Sequence, residues 1–243
     1  MIIDPQQLEE RLLNKIVEPK NKRILEVGCG QGKTSYLLAK ESEGYWAIDV
    51  DPKVIALARK DLSKQLQDKV NLGVRSGIDT KMPKAFFDIV LMQLCLHEIS
   101  VQEQGLALVE AHRVLKSGGK MIIIDPKANQ PVSVQALYDV INSKIKLFDH
   151  NCTIRHSKWV IKQAINQGLF SLAKKGGYEI EWHFGNFEEL TKMMVNENPD
   201  VDWSPDNKRM VFTELASISN VSDNKSTFKV MDILEYTILE KRD

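Results

Sequence analysis

Residues 24 to 34 read Ile-Leu-Glu-Val-Gly-Cys-Gly-Gln-Gly-Lys-Thr. The front half is an apolar strand carrying one acid, Glu26. The back half places glycines at 28, 30 and 32, followed by the helix-compatible run Lys33-Thr34-Ser35-Tyr36-Leu37-Leu38-Ala39-Lys40. A strand that turns into a helix through glycines brings backbone N–H groups close to a ligand. Two other glycine loops share part of this spacing. The dinucleotide fingerprint G-x-G-x-x-G would need glycine at position 33, which is lysine. The phosphate loop G-x-x-x-x-G-K-[ST] ends like Gly32-Lys33-Thr34, and Asp125 after Ile122-Ile123-Ile124 imitates its magnesium-holding acid. Its first glycine would fall at position 27, which is valine.

Working outward, strands and helices alternate. The pattern predicts strands near 23–27, 45–49, 70–75, 87–92 and 120–125, and helices near 32–41, 53–67, 101–115 and 132–147. A short amphipathic helix over 6–17 precedes them, with Leu8, Leu12, Leu13 and Ile16 at helical spacing. The continuous apolar runs Ile89-Val90-Leu91-Met92 and Met121-Ile122-Ile123-Ile124 suit strands buried on both faces of a parallel sheet. Alternation with short connections implies right-handed crossovers and an α/β, Rossmann-like, doubly wound sheet.

The rhythm changes after residue 148. A helix is expected over 157–167, a strand pair over 169–184 turning at Gly176-Gly177, helices over 187–195 and 205–219, a polar loop over 217–227 and a last strand over 228–240. The chain thus reads as one domain: a cofactor-binding core over 1–147, a helical lid or substrate elaboration over 148–227, and a returning strand over 228–243. The aromatics Trp159, Trp182, Phe184, Phe187 and Trp203 either give the elaboration its core or stack on a ligand.

At 243 residues, with 43% apolar and 27% charged residues, the composition is that of an ordinary globular chain. Lysine plus arginine equals aspartate plus glutamate at 33 each, so global charge gives no push toward nucleic acid or an anionic membrane. Three scattered cysteines argue against a disulfide framework and fit a reducing, cytoplasmic setting. Met1-Ile2-Ile3-Asp4-Pro5 is too short and acidic for a signal peptide, and no apolar run approaches the roughly 18 residues of a membrane span. No metal site is expected. His97-Glu98 does not begin a zinc helix, because position 101, where the second histidine would stand, is valine.

Asp49 closes the second predicted strand, 23 residues after Glu26. An acid there can accept both hydroxyls of a ribose, as its counterpart does in dinucleotide folds. Asp51, just before Pro52, suits a helix N-cap instead.

The spacing E-x-G-x-G-x-G resembles motif I of the class I S-adenosylmethionine-dependent methyltransferases. The resemblance runs on through three further landmarks. Ser76-Gly77-Ile78-Asp79-Thr80-Lys81-Met82-Pro83 is similar to the family segment G-D-A-x-x-L-P, with Ile78 at the acid's place. The run from Phe87 to Ile99 resembles the fourth strand and the turn beyond it. The run from Arg113 to Gly119 resembles the lead into the fifth strand.

The resemblance implies a seven-stranded, mostly parallel sheet with the last strand antiparallel, and S-adenosylmethionine as cofactor. It implies that Glu26, Gly28, Cys29 and Gly30 surround the methionine part, Asp49 the ribose, and Val50, Gly77, Ile78 and Asp79 the adenine, with Gln93 at a strand tip beside them. His97 and Tyr138, after the fourth and fifth strands, would face the methyl acceptor, His97 as a contact or a general base. The expected activity is methyl transfer by direct displacement to a small-molecule acceptor, without nucleic acid or membrane and with the oligomeric state open. The alternatives are a catalytically inactive, cofactor-sensing or partner-binding subunit, and an RNA or protein methyltransferase.

Overall fold

The computed structural model describes residues 2–3, 8–62, 66, 68–130, 134–141, 143–144, 149–197, 201–219 and 227–243. The elements in chain order are β1 (Ile2–Ile3), α1 (Leu8–Val17), β2 (Arg23–Val27), α2 (Lys33–Leu38), β3 (Gly44–Asp49), α3 (Pro52–Asp61), β4 (Val70–Val74) and β5 (Phe87–Gln93). After a 3₁₀ turn over Leu96–Glu98 come α4 (Gln104–Val114), β6 (Leu115–Pro126), α5 (Val134–Ile141), α6 (His150–Asn166), β7 (Phe170–Phe184), α7 (Phe187–Glu197), α8 (Pro205–Ser219) and β8 (Phe228–Lys241).

The strands are ordered β1-β7-β8-β6-β5-β2-β3-β4. Pairings β2–β3, β2–β5, β3–β4 and β5–β6 are parallel. The last strands are antiparallel. Arg242, just past β8, donates its N–H to the carbonyl of Leu169, just before β7, and Lys127, just past β6, donates to Ile233 early in β8. The expected seven-stranded mixed sheet is therefore present, with the two-residue β1 added antiparallel to β7 at its edge.

Two compact units divide the chain. One comprises Glu10–Asp125, Arg155–Gly176 and Glu235–Asp243; the other comprises Met1–Glu9, Pro126–Ile154 and Gly177–Leu234. The first holds the parallel strands. Leu25, Val27, Val90, Met92, Met121 and Ile123 form its core with Ala107, Leu108 and Ala111 of α4, as two-sided burial of the apolar runs requires. Val160, Ile161 and Ala164 of α6 join that core, so residues 155–176 belong with the parallel strands. In the other unit, Leu137, Val140, Ile141, Phe184, Leu190, Met194, Val211 and Leu215 pack together, with Trp182, Phe187, Trp203 and Phe212 against them. Trp159 differs from the other late aromatics: it is exposed on α6.

Two local expectations are corrected. Residues 170–184 form one continuous strand, with no turn at Gly176-Gly177. The reason at Gly176 is space: a Cβ there would lie 2.5 Å from the Tyr236 hydroxyl oxygen, so glycine lets a ring of β8 lie against the strand. Helix α6 starts at His150, seven residues earlier than expected, where the Asp149 carboxylate accepts the N–H of Cys152 as an N-cap. Among the described residues, no helix is long and apolar enough to cross a membrane.

Candidate cofactor-binding site

The glycine loop at the end of β2 is held by its neighbour strand. Gly28 and Cys29 both donate N–H to the Ile48 carbonyl, at 2.8 and 3.0 Å, and Gly32 closes a turn onto the Cys29 carbonyl at 2.9 Å. Gly28 has φ 74° and Gly30 φ 51°, the left-handed region that L side chains avoid. A Cβ on Gly28 would lie 2.4 Å from the Cys95 sulfur, while nothing stands within 4 Å of one on Gly30. One glycine is therefore needed for close packing against the end of β5, and the other leaves an open face.

Asp49 ties the loop to the next crossover. Its Oδ2 accepts the Gly30 N–H at 2.9 Å and its Oδ1 accepts the Asp51 N–H at 3.0 Å. A carboxylate has about four acceptor sites, so lone pairs remain for a diol. Asp51 takes the expected N-cap role, accepting from Lys53 N at 2.7 Å.

These groups open onto a cavity of about 470 Å³, the size range of small-ligand sites. Gly28, Gly30, Asp49 and Val50 line one side, and Ser76, Gly77, Ile78 and Ile99 another. Val50 is 67% exposed there, an apolar side chain open to the cavity. Leu94, Cys95, Glu98, Ser100, Glu103 and Arg75 complete the wall. Leu94 has φ 51°, a strained conformation for a bulky residue, at the tip of β5. A larger groove, about 540 Å³, runs along edge strand β4 past Trp46 and Met82. There Arg59 donates to the Leu72 carbonyl, a cap on a free strand edge, and no glycine loop reaches it.

The segment after β4 is clamped from α4. Glu110, nearly buried, accepts the Thr80 N–H at 2.9 Å and the Thr80 hydroxyl at 2.6 Å, and pairs with Arg113 at 2.7 Å. Arg113 in turn donates to the Met82 carbonyl at 2.8 Å. Gly77 is required by contact: its Cβ would fall 2.6 Å from Val27 Cγ1.

Gly28, Gly30, Asp49, Val50, Gly77 and Ile78 are thus brought together on one cavity, and four other expected cofactor residues are not. Asp79 is exposed and pairs with Lys81 at 2.5 Å. Gln93 accepts the Thr34 hydroxyl at 2.9 Å and joins the tip of β5 to α2. Cys29 is buried, its thiol pushed up by burial and by the Glu26 and Asp49 carboxylates. Glu26 is 2% exposed, and its Oε2 accepts both the Ser35 hydroxyl at 2.5 Å and the Tyr45 hydroxyl at 2.9 Å. Burial lifts its pKa to about 7 against those two bonds. Arg75, Leu94, Glu98 and Glu103, which also line the cavity, belong to no motif legible in the sequence.

His97, expected as an acceptor contact or a general base, is buried between two acids. It is 4% exposed, with Nδ1 2.7 Å from Asp125 Oδ1 and Nε2 3.0 Å from Glu98 Oε1. Burial alone would lower its pKa, but the Asp125 and Glu98 carboxylates outweigh that and raise it to about 10. Both carboxylates favour the protonated ring over the neutral one. Tyr138 falls within α5, and its side chain lies outside the described residues.

Residues 25–123 match the family model described as a methyltransferase domain. A demethylmenaquinone methyltransferase of Tropheryma whipplei is 32% identical over 102 residues, 42% of this chain and 41% of that protein. The chain thus matches about two fifths of the length of such curated relatives. A Bacillus halodurans structure assigned as a methyltransferase superposes with a TM-score of 0.68 at 19% identity, covering 97% of this chain and 99% of that one. A geranyl diphosphate C-methyltransferase from Streptomyces coelicolor, crystallised with Mg²⁺, geranyl diphosphate and S-adenosylhomocysteine, superposes at 0.58 and 11% identity, covering 97% and 80%. The match to a methyltransferase domain thus spans residues 25–123, about two fifths of the chain, and the structural likeness extends the shared fold over nearly all of it.

Proposed function

We propose that this chain binds S-adenosylmethionine and transfers its methyl group to a small-molecule acceptor. The observation that carries the reading is the joint placement of Gly30 and Asp49: the loop N–H fixes the carboxylate, and both line one cavity. Asp49 would accept the ribose hydroxyls. Val50, Ile78 and Ile99 would sandwich the adenine. The Gly28–Gly30 turn would admit the methionine part, with Glu26 behind it. The bound cofactor supplies an activated sulfonium methyl that leaves by direct displacement. The chain's own task is then to align the acceptor and exclude water. A protonated His97 fits that task as a brace between Asp125 and Glu98.

A small acceptor is supported by the balanced charge of the chain and by the activities of similar proteins, a demethylmenaquinone methyltransferase and a geranyl diphosphate C-methyltransferase. Calorimetry tests the first half. S-adenosylmethionine should bind, magnesium-ATP should not, and Asp49→Ala should weaken the cofactor by about 1–3 kcal/mol, the scale for removing a partner from polar groups. Methyl-labelled cofactor offered with fractionated extract tests the second half, the label appearing in the low-mass fraction. Label confined to RNA or protein would overturn the acceptor class. Tight binding with no transfer anywhere would favour a cofactor-sensing subunit.

A further inference from the structure

Asp125 stands at the carboxyl end of β6, where it meets the tip of β5. The Leu94 N–H donates to the Ile124 carbonyl at 2.7 Å, so residues 94 and 125 lie side by side just beyond the paired strands. Leu94, Cys95 and Glu98 all line the cofactor cavity. The Asp125 side chain is 5% exposed. One carboxylate oxygen, Oδ1, is bonded to His97 at 2.7 Å. The other, Oδ2, is buried and has no hydrogen-bond partner among the described residues.

An acceptor oxygen left without a donor in a buried place costs about 1–3 kcal/mol, and more on a charged group. Among the described residues, no neighbour supplies that donor. The His97 ring is fixed at both nitrogens, between Asp125 and Glu98. The adjacent cysteine, Cys95, stands against Gly28, where its sulfur fills the space a Cβ would take. The oxygen lies at the end of the sheet where ligands of such folds bind, so a bound ligand can supply the donor.

We infer that Asp125 is a recognition residue for the methyl acceptor, its Oδ2 taking a hydrogen bond from an O–H or N–H group of that molecule. The inference rests on the methyl-transfer reading above and narrows it. A carboxylate only accepts hydrogen bonds, so it favours hydroxyl and amine groups and disfavours ether, carbonyl and phosphate oxygens in the same position. His97 is then a positioning residue. It holds Oδ1 so that Oδ2 keeps one direction, and its second nitrogen ties the arrangement to Glu98 in the cavity wall.

The test uses the full chain, ¹⁵N-labelled at histidine and saturated with S-adenosylhomocysteine, with binding of that nucleoside followed by calorimetry. Phenol and anisole, and aniline and N,N-dimethylaniline, are titrated as matched pairs while the His97 ring signals are followed by NMR. Phenol or aniline should shift the Nδ1 resonance in a saturable way, and the methylated partner should bind about tenfold more weakly or not at all. Asp125→Asn, which places an amide donor where Oδ2 stood, should abolish the preference while S-adenosylhomocysteine affinity stays within threefold of wild type. Equal response to both members of each pair, no saturable response to any of the four, or an unchanged preference in Asp125→Asn overturns the inference. So does a crystal structure with phenol bound elsewhere and a resident water on Oδ2. Should Asp125→Asn not fold, the matched pairs on wild type still decide. Failure of S-adenosylhomocysteine to bind wild type is a separate result, and it sinks the methyl-transfer reading itself.

Discussion

Glu26→Gln separates what the buried acid does for stability from what it does for the cofactor. The Glu26 carboxyl sits fully inside, accepting from Ser35 and Tyr45 on one oxygen, and burial raises its pKa from the ordinary 4.5 to about 7. The sign follows from linkage. Below pH 4.5 the folded and unfolded chains both hold the proton, and stability is complete. Between 4.5 and about 7 the unfolded chain ionises while the folded chain keeps its proton, so stability falls. Above 7 both are ionised and the loss is constant, about 3 kcal/mol for a displacement of this size. A glutamine carbonyl at position 26 can accept the same two hydroxyls and never ionises. Urea denaturation of the cofactor-free variant and wild type at steps from pH 4.5 to 8 measures the difference directly. The variant should gain about 3 kcal/mol on wild type across that range, whatever constant offset the substitution adds. A difference that stays flat with pH would refute the reasoning, since it would mean that the folded carboxyl titrates like an exposed one. The same substitution should weaken S-adenosylmethionine above pH 7, where wild type has an ionised carboxylate behind the glycine loop and glutamine offers no charge to the cofactor's ammonium.

Three further outcomes are expected. Gly28→Ala forces a Cβ into the Cys95 sulfur at a residue with φ 74°, and should destabilise the chain by about 1–3 kcal/mol in thermal or urea unfolding, with cofactor binding lost. Glu110→Ala strips the Thr80 N–H and hydroxyl of their partner and should cost about 1–3 kcal/mol, with cofactor affinity falling because residues 76–82 lose their clamp; calorimetry checks the second effect. His97→Gln should flatten the pH dependence of stability. The pKa of His97 is raised, so its contribution is complete below pH 6.5 and lost as pH rises through about 10, and paired denaturation curves from pH 6 to 10 read the difference.

How much the sequence disclosed depends on how local each signal is. The glycine loop, the apolar strands and Asp49 were legible because each is written within a few consecutive residues: a strand, a turn, an acid at a strand end. Asp51 before Pro52 announced an N-cap, and it is one. Signals that depend on distant chain were misread or silent. Gly176-Gly177 reads as a turn until Tyr236, sixty residues later, is laid across Gly176. One local signal also diverged: Asp79, next to the place of the family's adenine-binding acid, pairs with Lys81 in solvent. Glu26 reads as a ligand contact by spacing, while its depth and its bond to Tyr45 are set by the adjoining strand.

His97 gives the clearest case of this division. Its place after β5 was legible, and an isolated histidine near a cavity reads as a base. What determines its chemistry is Asp125, 28 residues on at the end of the next strand, together with the neighbouring Glu98. Parallel pairing of β5 with β6 puts the two strand ends side by side, and only then does the histidine lie buried between two acids. The orphan oxygen of Asp125 appears at the same step. A residue that looks in the sequence like the end of an apolar strand becomes, through its partner's geometry, a hydrogen-bond acceptor with one direction left to fill. Chemistry at the carboxyl ends of this sheet is therefore specified by strand order and register, which fix the pairs, more than by any one motif, which fixes only the members.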